Sequence, residues 1–159
     1  MKIVDSILID FNNNHVIQDF DRKIVVKYFP QVFQNSQIRT LQQSTESLLS
    51  SYKGKSCKGK RNLQFQHYFG CSKDCSPQIY VLNSTKNPFV LSWIHQNQEL
   101  FNTANTIFKS NFPQLFEEYS KVLLPNRFFG AWAAITLNKL FDTGMSYHID
   151  KQDYKKGYC

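Results

Sequence analysis

No run of 18 consecutive apolar residues occurs in the sequence, and that absence excludes a membrane-spanning helix of ordinary length. There is no internal repeat and no long Pro-, Gly- or Ser-rich linker. The expectation is therefore one compact unit rather than an array or a string of modules. The opening MKIVDSILIDFNNN interrupts its apolar residues with Asp5 and Asp10 and lacks a small-residue cleavage signature, so it does not read as a secretory signal. Cysteine is sparse, with four residues at Cys57, Cys71, Cys75 and Cys159. Without a signal these are expected to be reduced intracellular thiols, a nuclear location remaining open.

What is present is enough for a core. The chain has 159 residues, the size of one domain but not comfortably of two. Its 42% hydrophobic and 15% aromatic content is too rich for a disordered chain. Nineteen Lys and Arg against twelve Asp and Glu leave a net charge of +7, which fits a polyanionic partner such as DNA or RNA without specifying one. Nothing in the sequence sets an oligomeric state.

The periodicity gives an α+β chain with helices packed on a largely antiparallel sheet. Ile7 to Ile9 and Lys23 to Phe29 read as short strands, the second stopped by Pro30, and Asn12 to Asn14 as a turn. Ile38, Leu41, Thr45, Leu48 and Leu49 recur at helical spacing, which predicts a helix from about Gln37 to Ser51. Leu63, Phe65, His67 and Phe69 alternate with polar residues, the period of a half-buried strand, and Gln78 to Leu82 is a further strand. After Pro88, the residues Val90, Trp93, Ile94, Asn97, Phe101, Ala104 and Phe108 share one face of a long helix. Pro113 breaks it, and Leu115, Phe116, Tyr119, Val122 and Leu123 begin another. Trp132 to Leu137 reads as a buried strand, Asp142 to Gly144 as a turn and Met145 to Asp150 as a strand.

Two clusters invite a chemical reading. Gly54 to Lys60 matches the glycine and lysine spacing of a phosphate-binding loop, but Arg61 stands where Ser or Thr must hold magnesium, and a strand rather than a helix follows. A nucleotide site is therefore rejected. Lys55, Lys58, Lys60 and Arg61 of this loop are instead candidates for nucleic-acid phosphates, the plainer alternative being a solvated loop. Cys57, His67, Cys71 and Cys75 are donors that tetrahedral zinc accepts. The Cys71 to Cys75 spacing is wider than a CxxC knuckle, so free structural thiols are preferred. His15, in the Asn-rich turn, and His95, on the polar side of a helix, read as solvated.

The most informative segment is the last. On a strand, positions i and i+2 point to the same side, so His148 and Asp150 converge as two ligands of one metal would. One imidazole and one carboxylate are two parts of the facial triad of non-haem iron oxygenases. The stretch from Phe128 through Trp132 and Ile135 to Asn138, followed by Thr143-Gly144, His148-x-Asp150, Asp153 and Gly157, resembles the Tet/JBP-like branch of the 2-oxoglutarate and Fe(II)-dependent dioxygenases. The specific match covers about 32 residues, Phe128 to Cys159.

The resemblance implies one domain over residues 1–159. Residues 1–124 would form an N-terminal layer of helices and strands, and 125–159 the first strands of a double-stranded β-helix, or jelly-roll, core that is incomplete at its C-terminus. It also implies Fe(II) held by His148 and Asp150, with Asn138 near the 2-oxoglutarate co-substrate and Asp153 near a modified nucleobase flipped from its stack. The family often has Asn where this chain has Asp153, and a carboxylate accepts but does not donate, which puts methylcytosine in doubt. No second histidine ligand occurs in the nine residues after Asp150, and so no Arg or Lys beyond such a ligand for 2-oxoglutarate. The chain is accordingly expected to be the front portion of such a domain and inactive by itself. The alternative is a non-catalytic, basic nucleic-acid-associated module.

Overall fold

A computed structural model describes residues 13–18, 21–22, 24–52, 63–73 and 78–140. They fall into two compact units, one drawn from Met1–Gln34 and the other from Asn35–Tyr147.

The first unit contains an antiparallel pair, β1 (His15–Gln18) and β2 (Ile24–Tyr28). The β-branched run Ile24-Val25-Val26 gives β2, as its composition predicts, and the strand ends two residues before Pro30. Its partner β1 is a correction to the sequence reading, which left His15 in a turn. His15 instead opens a strand, faces Tyr28 across the pair and lies 6.3 Å from it between ring centroids.

In the second unit, α1 (Asn35–Ser51) leads toward β3 (Leu63–Ser72) and β4 (Tyr80–Val81). Then come α2 (Pro88–Gln96), α3 (Gln98–Asn111), α4 (Pro113–Ser120) and β5 (Ala134–Leu140). The strands form one antiparallel sheet in the order β4-β3-β5, with Gly70 opposite Ala134 and Tyr68 opposite Thr136. Among the described residues both sheets are open. The architecture is therefore α+β with small antiparallel sheets. No helix among the described residues is long and apolar enough to cross a membrane.

Helices cover one face of the three-stranded sheet. Phe69 of β3 is fully buried against Leu48 of α1, Val90, Trp93 and Ile94 of α2, Phe101 of α3 and Phe129, with Ile135 and Leu137 of β5 packed at the margin. The period of two then decides the other face, where Tyr68, Ala134 and Thr136 are exposed. The sequence reading of Trp132 to Leu137 as a wholly buried strand is corrected to a strand covered on one side.

The long apolar face from Val90 to Phe108 is real, but it is divided between two helices. Asn97, 2% exposed, interrupts them with φ −101° and ψ 12°. Its carboxamide nitrogen donates to the Trp93 carbonyl at 2.7 Å and to the Ser44 hydroxyl of α1 at 2.8 Å. Two further bonds continue this polar seam between α1 and the α2–α3 pair: Trp93 Nε1 to Thr45 Oγ1 at 3.0 Å and Gln37 Nε2 to Thr103 Oγ1 at 2.9 Å. Partner numbers fall on one side as they rise on the other, so α1 runs antiparallel to that pair. At the start of α2, Pro88 occupies the first turn and Asn87 Oδ1 accepts from the Phe89 amide at 2.9 Å, the usual way to satisfy an orphan donor. Helix α4 ends at Ser120, short of Val122 and Leu123, and both of those side chains are exposed.

Candidate functional site

The segment entering β5 is held by several specific contacts. Gly130 has φ +70°, a left-handed conformation that glycine adopts without strain, and a Cβ there would overlap the Asn105 carboxamide. Asn105 grips the main chain on both sides of it. The carboxamide nitrogen donates to the Phe129 carbonyl at 2.9 Å, and Oδ1 accepts from the Ala131 amide at 2.8 Å. Phe129 and Trp132 close the turn as an isolated antiparallel bridge. Arg127 completes the fastening by donating to the carbonyls of Ser120, Val122 and Gly130.

One residue later the strand is held from the other side. The Cys71 amide donates to the Ala133 carbonyl at 2.8 Å. Gly70, at φ +117°, lies so close to Ala133 and Ala134 that any Cβ would collide with their main chain. The buried Thr85 hydroxyl accepts from the Gly70 amide at 2.6 Å and donates to the Gly70 carbonyl at 3.3 Å. These contacts set the β3–β5 register at its start, and an aromatic stack backs them: Trp132 lies 4.5 Å from Phe108 between ring centroids, 26° from parallel.

Of the sequence-predicted site residues, Asn138 is in β5, where its backbone pairs opposite Gln66. His148, Asp150 and Asp153 lie outside the described residues, as do Lys55, Lys58, Lys60 and Arg61. The predicted strand at Ile7 to Ile9, the turn at Asp142 to Gly144 and the strand from Met145 to Asp150 fall outside them too.

The zinc candidates divide in the same way. Cys57 and Cys75 are outside the described residues, while His67 and Cys71 are both buried in β3. His67 packs edge-on against Tyr52 at 4.9 Å and stacks on Phe69 at 6.1 Å. Burial pushes its imidazole below the ordinary value of 6.5. Cys71 Sγ lies 3.5 Å from the Asn126 carbonyl, a weak thiol hydrogen bond. Among the described residues no three His, Cys, Asp or Glu side chains come together in a way that could hold a metal. His95 is exposed in the last turn of α2.

Sequence reasoning missed the Asn105–Gly130 clamp. Its only visible signal is a glycine directly after Phe128-Phe129, because the partner is 25 positions upstream on a helix. Comparison of the chain with protein-family models, with curated proteins and with solved structures finds no match in any of the three.

Proposed function

We propose that this chain carries a 2-oxoglutarate and Fe(II)-dependent dioxygenase-like domain of the Tet/JBP-like type, with β5 among the first strands of a double-stranded β-helix core. The observation that carries the reading is the one-sided cover of the sheet. Helices bury Phe69, whereas Tyr68 and Thr136, opposite one another on β3 and β5, are exposed. A double-sheet jelly roll needs such a face, because its second sheet packs over the side that the helices leave free. Strand β5 is also the described strand directly upstream of His148-x-Asp150, the order that the family pattern requires.

In this reading His148 and Asp150 would hold Fe(II), and their donor chemistry suits it as two members of a facial triad. Asn138 would stand near 2-oxoglutarate and Asp153 near the substrate, a modified nucleobase whose edge offers Asp153 a donor. When bound, the iron with 2-oxoglutarate supplies oxidation of a substrate C–H bond by dioxygen.

Calorimetric titration of the purified chain with Fe(II) under argon tests the ligand pair. Replacing Asp150 with Ala removes a charged oxygen donor and is expected to abolish the binding heat. Unchanged affinity in Asp150→Ala would overturn the assignment.

A further inference from the structure

We draw no further inference here: the strongest candidate, the exposed face of the three-stranded sheet on which Tyr68 and Thr136 stand, belongs to the site already described, and nothing among the described residues shows what else covers it.

Discussion

Asn105 of α3 and Gly130 of the turn before β5 fit each other so closely that neither position admits a simple replacement. The carboxamide makes the two hydrogen bonds that hold the turn, and the missing Cβ at Gly130 leaves room for it. Helix and strand are thereby fixed to each other through a side chain rather than through apolar packing alone.

Gly130→Ala is expected to destabilise the fold by about 2 kcal/mol or more, through strain at a positive φ and overlap with Asn105. Asn105→Ala is expected to cost about 1–3 kcal/mol, because it leaves partly buried peptide groups without their partners. The double variant should lose less than the sum, since removing the carboxamide relieves the overlap. Urea unfolding of the four proteins measures the coupling, and strict additivity would contradict the clamp.

Burial grades the cost of truncating the core. Phe69 is at 0% exposure in the middle of the cluster, so Phe69→Ala is expected to lose about 3–5 kcal/mol. Ile135 packs at the margin of the same cluster and is half-buried, which places Ile135→Ala near the low end for such a change, about 2 kcal/mol. Equal shifts in the unfolding midpoint would mean that Ile135 is buried as deeply as Phe69.

His67 predicts a pH dependence with a definite sign. Its folded value lies below the ordinary 6.5, so unfolding takes up a proton when the pH is between the two values. The stability that this residue contributes is fully present above about 6.5 and declines as the pH falls toward the folded value. In His67→Phe that part of the slope, below about pH 6.5, should vanish. An identical slope in the variant would assign the dependence to other groups.

How legible these features were in the sequence depends on how local their causes are. The apolar stripe from Val90 to Phe108 was plain, because Val90, Trp93, Ile94, Phe101 and Phe108 are buried at helical spacing. The break at Asn97 was not, since it comes with bonds to Ser44, more than fifty residues away, and to Trp93. For the same reason Gln37 and Ser44 are buried on α1 beside its apolar residues, where a hydrophobic pattern alone would leave them outside. Strand β1 escaped notice because His15-Val16-Ile17-Gln18 is short and follows an Asn run, and only pairing with β2 defines it. Of the candidate site, residue types and spacing at His148 and Asp150 were readable, while the turn that delivers β5 was not. That turn depends on a helix residue and on a glycine conformation, neither of which periodicity encodes.

In the proposed reading, His148 and Asp150 bind iron together with 2-oxoglutarate. The most direct test is to add Fe(II) and 2-oxoglutarate to the purified chain under argon and record the visible spectrum. A charge-transfer band of the chelated complex, lost in both His148→Ala and Asp150→Ala, is the expected result. No band in the unmodified chain, or one that persists in both variants, would overturn the assignment of His148 and Asp150 as iron ligands.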